Sequence, residues 1–208
     1  MRIAIIDCGA GNLHSVRKAI ATQLPESATL TVITDASELR IATHIVLPGV
    51  GAFADCMQGL NALDGMRDAL EEKVVKGGTP FLGICVGMQM LFERGHEHSV
   101  HTGLGWFKGE VKPIAPTDPA LKIPHMGWNQ LRLRQKHAIL GHMTDGDHVY
   151  FVHSYAAQGV AGENILADVD YGGQIVAVIG RENILGTQFH PEKSQRVGLQ
   201  LISNFLAL

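Results

Sequence analysis

The run Leu82-Gly83-Ile84-Cys85-Val86-Gly87-Met88-Gln89 decides how this chain is read. An apolar strand ends in a cysteine, glycines stand two residues to either side of it, and helix-forming residues follow at once. That is the nucleophile-elbow pattern with Cys in place of Ser, a turn so tight that side chains at 83 and 87 would clash. In an open α/β sheet such a turn sits at the carboxyl end of a strand, where ligands bind. A helix amino terminus beneath the sulfur would favour its thiolate form.

Outward from the elbow, the amino-terminal half alternates short apolar runs with helical spacing. Arg2–Asp7 reads as a strand, Cys8–Asn12 as a turn, and Leu13, Val16 and Ile20 as a helix face running up to Pro25. Thr29–Ile33 reads as a strand and Ala36–Ile41 as a short helix opened by Asp35. His44–Leu47 is a third strand, stopped by Pro48-Gly49-Val50-Gly51. Helical stretches near Ala52–Gln58 and Leu63–Val75 end at Gly77-Gly78, Pro80–Ile84 is the elbow strand, and Val86–Arg94 is expected to be helical. Strands separated by helices imply a parallel sheet covered on both faces.

Beyond this the spacing becomes strand-like. Trp106–Val111, Asn129–Leu133 and Val149–His153 read as strands joined by loops, and Ile165–Tyr171 and Gln174–Ile179 flank the hairpin signal Gly172-Gly173. Ile184–Phe189 is a further strand, and Val197, Leu201, Ile202 and Phe205 mark a closing amphipathic helix. The expected fold is one α/β domain over residues 1–208, a mostly parallel central sheet flanked by helices with an antiparallel β extension in its carboxyl-terminal half.

A thiol nucleophile needs a base. His190 ends an apolar strand and is followed by Pro191-Glu192. Proline keeps His190 extended, and side chains two apart on an extended chain leave it on the same side. Glu192 can then hold one imidazole nitrogen while the other faces Cys85. Acyl transfer also wants N–H donors where negative charge develops on oxygen. The glycines of 48–51 and the backbone N–H of Val86 are suited to that role.

Other signals point away from competing chemistries. The 208 residues carry 17 Lys and Arg against 20 Asp and Glu, so no basic surplus is available for nucleic acid. No apolar run approaches the ~18 residues of a membrane span. The first apolar run, Ile3–Ile6, is too short for a signal peptide, and three cysteines without a CxxC pair support neither a disulfide framework nor a zinc site. A soluble protein in a reducing cytoplasm is expected. Gly9-Ala10-Gly11 lacks the third small residue of a dinucleotide fingerprint, because His14 stands there. His96, His98 and His101 sit in a polar stretch read as a loop; HExxH fails at Val100, so no metal and no cofactor are expected.

The elbow, with His-Pro-Glu about a hundred residues on, resembles the triad-type (class I) glutamine amidotransferases. Gly9–Leu13, Pro48–Gly51, Pro124-His125-Met126-Gly127-Trp128-Asn129 and His153-Ser154-Tyr155 narrow that resemblance to the glutaminase subunits that serve imidazole glycerol phosphate synthase. The resemblance implies a flavodoxin-like sheet and a Cys85–His190–Glu192 triad that hydrolyses L-glutamine through a thioester. By the same carry-over Val50 and Gly51 belong to an oxyanion strand completed on activation, and Gln89, Glu97, Ser154 and Tyr155 hold glutamine. Asn12, Pro124, Met126 and Trp128 are implied at the face toward a cyclase subunit, a (β/α)8 barrel that takes the ammonia. Glutaminase subunits for pyridoxal phosphate or anthranilate synthesis share the triad but not Pro-His-Met-Gly-Trp-Asn. A stand-alone thiol amidase would need no partner.

Overall fold

The computed structural model describes residues 1–9 and 11–208, so the expected turn Cys8–Asn12 is described except for Ala10. In chain order the first half contains β1 (Arg2–Ile6), α1 (Leu13–Ala21), β2 (Thr29–Ile33), β3 (His44–Gly49), α2 (Phe53–Ala62), α3 (Met66–Leu70), β4 (Phe81–Cys85) and α4 (Val86–Gln89). There follow β5 (Phe92–Glu97), β6 (Ser99–Thr102), β7 (Phe107–Pro113), β8 (His125–Gln130), β9 (Arg132–Leu133), β10 (His148–His153) and β11 (Tyr155–Gln158). The chain ends with β12 (Ile165–Asp170), β13 (Gln174–Arg181), β14 (Ile184–Thr187) and α5 (Gln195–Leu206).

The main sheet has the order β2-β1-β3-β4-β14-β13-β12-β9. Its first five strands are mutually parallel, and the remaining pairings are antiparallel. Strands β3 and β4 are buried along their whole length, which is why both read as continuous apolar runs rather than alternating ones. The chain moves from β1 outward to β2, then returns to the other side of β1 for β3, so the order reverses between β1 and β3. The loops after β1, β3 and β4 and the segment after β14 therefore meet at one edge, the carboxyl ends of parallel strands. Helix α1 packs against α5, while α2 packs against α3 and α4.

Most expected elements form; strand β11, paired with β7, was not expected, and three further segments differ. The helix expected over Val86–Arg94 stops at Gln89, and Phe92–Glu97 becomes β5, paired with β6 and parallel to β7. The apolar run Met90-Leu91-Phe92 suits either state, and these long-range pairings decide it. Gly95 is also tied to this path, because an added Cβ would lie 2.5 Å from the Phe53 ring. Consequently the histidine-bearing stretch is a hairpin rather than a loop. Second, Leu63–Val75 is not one helix but α3 followed by a π-helical segment, Glu71–Lys76. Third, Asn129–Leu133 splits: β8 pairs with β10, whereas β9 joins the edge of the main sheet through β12. The hairpin signal at Gly172-Gly173 forms with three residues, Tyr171 N–H reaching the Gly173 carbonyl at 2.9 Å. Asp35 accepts from Ser37 N–H at 2.8 Å and opens a 3₁₀ turn at Ala36–Ile41, as its sequence suggests. No helix is long and apolar enough to cross a membrane among the described residues.

Candidate active site

Cys85 is the last residue of β4 and the first of the bend into α4, with φ 55° and ψ −110°. A non-glycine residue there stores on the order of 1–3 kcal/mol of strain, so packing must hold it. The glycines supply that packing. A Cβ on Gly83 would lie 2.6 Å from the Gly87 carbonyl oxygen, and one on Gly87 would run into the Leu47 carbonyl oxygen. A Cβ on Gly49, the register partner of Cys85 on β3, would lie 2.6 Å from the Gly87 amide nitrogen. The expected helix behind the sulfur is only the single turn Val86–Gln89, so its dipole offers less than a full helix would.

A cavity of about 610 Å³ opens above the elbow, in the size range of small-molecule sites. Cys85, Val86, Gln89, Val50, Gly51, Glu97, Ser154, Tyr155, Asn12, Pro124 and His190 all line it. Of the residues singled out from the sequence, Glu192 lies behind the cavity, while Met126 and Trp128 stand outside it, 62% and 46% exposed. Ser15, His153 and Lys193 also face the cavity and were not singled out as substrate contacts.

His190 is 1% exposed and positioned from three sides. Its N–H donates to the Tyr150 carbonyl at 2.9 Å, its carbonyl accepts from Ser194 Oγ at 2.6 Å, and Ser194 Oγ in turn accepts from Tyr150 N–H at 2.9 Å. Its Nδ1 lies 2.8 Å from Glu192 Oε1, the pairing that His-Pro-Glu suggests. Among the described residues no oxygen or nitrogen partners its buried Nε2, and the Cys85 sulfur lies beside it. Burial by itself would lower the His190 pKa, but the adjacent Cys85 sulfur and the Glu192 carboxylate outweigh it and raise it to about 9. For Glu192 burial favours the neutral acid, yet His190 and Asn12 hold the charged form and its pKa is lowered.

Asn12 accordingly has a place beyond its expected location at a partner face. It is buried, and its Nδ2 donates to Glu192 Oε1 at 3.0 Å. Glu97 also has an occupation of its own: Oε2 accepts from Phe53 N–H at 2.8 Å and caps α2, whose preceding residue Ala52 supplies no side-chain cap. Val50 carries its carbonyl toward the Cys56 thiol at 3.5 Å, and Gly51 adopts φ 94°, a conformation that requires glycine. Cys8 and Cys56 are buried thiols, and burial pushes the Cys56 pKa up to about 12.

Gln188 escapes a reading confined to His-Pro-Glu. It is fully buried, its Nε2 donates to Cys85 Sγ at 3.8 Å, and its Oε1 accepts from Gln89 Nε2 at 3.0 Å. Its two-residue spacing from His190 is the signal that could have found it. Among the described residues no group of three or more His, Cys, Asp or Glu side chains could hold a metal ion; His96 Nε2 instead lies 3.1 Å from Glu110. The arrangement brings together a thiol on a strained bend and a carboxylate-oriented imidazole at a small cavity, two of the parts that acyl transfer through a thioester requires.

Comparison with known proteins agrees with this chemistry. The family model for Glutamine amidotransferase class-I matches residues 4–208. The imidazole glycerol phosphate synthase subunit HisH of Mesorhizobium japonicum is 52% identical over 212 residues, covering 99% of this chain and 98% of the relative. The subunit of the same name from Rhodospirillum rubrum is 52% identical over 210 residues, with the same coverage. A crystal structure of a glutamine amidotransferase superposes with a TM-score of 0.75 at 16% identity, over 99% of this chain and 97% of that one, and so shares the fold. The chain belongs to the class-I glutamine amidotransferases, and within them to the family of the HisH subunits.

Proposed function

We propose that this chain is the glutaminase subunit of imidazole glycerol phosphate synthase, acting in histidine biosynthesis in the cytoplasm as a single domain over residues 1–208. Cys85 Sγ attacks the side-chain amide carbon of glutamine with its proton already held on His190 Nε2, and that imidazole gives the proton to the departing nitrogen, releasing ammonia. Water, deprotonated by the same imidazole, then attacks the γ-glutamyl thioester; the C–S bond breaks, glutamate leaves and the thiolate is restored beside the protonated imidazole. Glu192 stays ionised and steadies the imidazolium. Backbone N–H groups of the Val50–Gly51 segment and of Val86 receive the oxyanion, with Gln89, Glu97, Ser154 and Tyr155 around the substrate.

The observation that carries this reading is the His190 imidazole, held by Glu192 on one nitrogen, with the other buried beside the Cys85 sulfur at the edge of the cavity. The ammonia is passed to a cyclase subunit, a (β/α)8 barrel forming a heterodimer through the face that carries Pro124, Met126 and Trp128. There it reacts with a phosphoribulosyl formimino carboxamide ribotide (PRFAR) to give imidazole glycerol phosphate and AICAR. The test is glutamine hydrolysis with and without the cyclase and its ligand. A large ligand-dependent rise is expected, and equal turnover by the lone subunit would instead support a stand-alone amidase.

A further inference from the structure

His125 and His153 face each other at the end of the β8–β10 pair, 28 residues apart in sequence and in direct register. Both rings are buried, and His125 is stacked between Tyr171 at 3.9 Å and Phe151 at 4.6 Å. The donors in this cluster can be assigned from acceptors that have no choice. His153 Nδ1 lies 2.9 Å from the Tyr155 carbonyl, so it carries the proton. In the neutral ring His153 Nε2 is then an acceptor, and His125 Nδ1, 3.0 Å away, must donate to it. That leaves His125 Nε2 to accept from Asn129 Nδ2 at 3.3 Å, while the same amide donates to the Asp170 carbonyl at 2.8 Å.

The Tyr155 carbonyl accepts from a second side as well. Gln89 Nε2 donates to it at 3.0 Å and to Gln188 Oε1 at 3.0 Å, and Gln188 Nε2 reaches Cys85 Sγ at 3.8 Å. An unbroken series of hydrogen bonds thus runs from Asn129 to the sulfur. Its outer end lies on β8, where His125 and Asn129 point inward while Met126 and Trp128, between them, are exposed. Because the Tyr155 carbonyl accepts from both directions, no proton can travel its length. What it transmits is position.

We infer that His125 and His153 form a neutral two-imidazole bridge that positions the Gln89–Gln188 amide pair against the Cys85 sulfur and ties the nucleophile to strand β8. These are positioning residues for the thiol, and the inference rests on the proposed glutaminase reading. Both rings suit the task only when uncharged: a protonated His153 would turn an N–H toward the N–H of His125. Burial supports the neutral state, lowering the pKa of each ring to about 4.

The test uses the complex with the cyclase and compares glutamine-dependent with ammonia-dependent synthesis. His125→Phe keeps the stacked ring and removes the donor; His125→Asn restores an N–H toward His153. The expected result is a glutamine-dependent kcat about tenfold lower for His125→Phe, the loss of one hydrogen bond of ordinary net strength. His125→Asn recovers most of it, and ammonia-dependent synthesis stays at the wild-type rate in both. A Phe variant equal to wild type, or an Asn variant no better than Phe, overturns the bridge. Should His125→Phe lose ammonia-dependent synthesis too, Asn129→Ala at the half-buried outer end carries the test, with a several-fold loss of glutamine-dependent kcat expected and no loss contradicting the bridge. Wild-type complex that fails to hydrolyse glutamine would count against the proposed function itself, and the bridge would fall with it.

Discussion

Glu192 Oε1 sits 2.8 Å from His190 Nδ1 and also accepts from Asn12 Nδ2 at 3.0 Å, so one carboxylate oxygen joins the loop after β1 to the turn after β14. The carboxylate fixes the imidazole by its Nδ1, and in the proposed mechanism it compensates the positive charge that the ring carries.

Replacing that charge isolates its contribution. Glu192→Gln retains an acceptor for Nδ1 but no negative charge, so His190 becomes a weaker base. Steady-state glutamine turnover by the complex should show kcat reduced by about 10²–10⁴ with little change in KM. An unchanged kcat would mean that orientation alone suffices.

Glu97 touches two functions at once, since it lines the cavity and caps α2. Glu97→Ala removes the acceptor for Phe53 N–H and a negative charge at a helix amino terminus, a loss of about 1 kcal/mol in thermal or denaturant unfolding. Glu97→Gln should retain most of the cap. A fall in stability with an unaltered KM for glutamine assigns Glu97 to the helix; a raised KM in Glu97→Gln assigns it to the substrate as well.

The buried pair His125 and His153 predicts an acid limb. Desolvation lowers their folded-state pKa to about 4, against 6.5 when free, so between these values the unfolded chain binds more protons than the folded one. Stability is therefore full above about pH 6.5 and falls as the pH drops toward 4, by on the order of 3 kcal/mol for a group such as His153. Unfolding curves measured at half-unit pH steps should show this slope, and it should flatten in His125→Phe. An identical slope in the variant would place the acid sensitivity elsewhere.

Trp128 is half-exposed and makes an edge contact with Tyr150 at 5.9 Å. Trp128→Ala should change unfolding of the isolated chain by about 1 kcal/mol or less. Affinity for the cyclase, measured by titration, should weaken by about 2 kcal/mol or more, as for an aromatic anchor at an interface. Unaltered affinity would remove Trp128 from that surface.

Much of this site was legible because its determinants are local. Gly83, Cys85 and Gly87 define the bend by their spacing, and Pro191 fixes the geometry between His190 and Glu192. The parallel strands were readable since burial on both faces leaves continuous apolar runs such as Ile3–Ile6 and Ile45–Leu47. Where competing pairings decide the outcome, the pattern is silent. Met90-Leu91-Phe92 fits a helix as well as a strand, and only the partners β6 and β7 resolve it. Asn129 and Leu133 fall in different sheets although their local spacing is strand-like throughout. The link between His125 and His153, and the helix cap that Glu97 provides across 44 residues, exist only once the chain has folded.

The most direct measurement is glutamate release from glutamine by Cys85→Ala in complex with the cyclase, with synthesis from ammonium salts followed in parallel. Glutamate release should fall by about 10⁴-fold or more, as when a triad member is lost, while synthesis from ammonium proceeds at the wild-type rate. Glutamate release that persists in Cys85→Ala would show that the sulfur at the elbow is not the nucleophile.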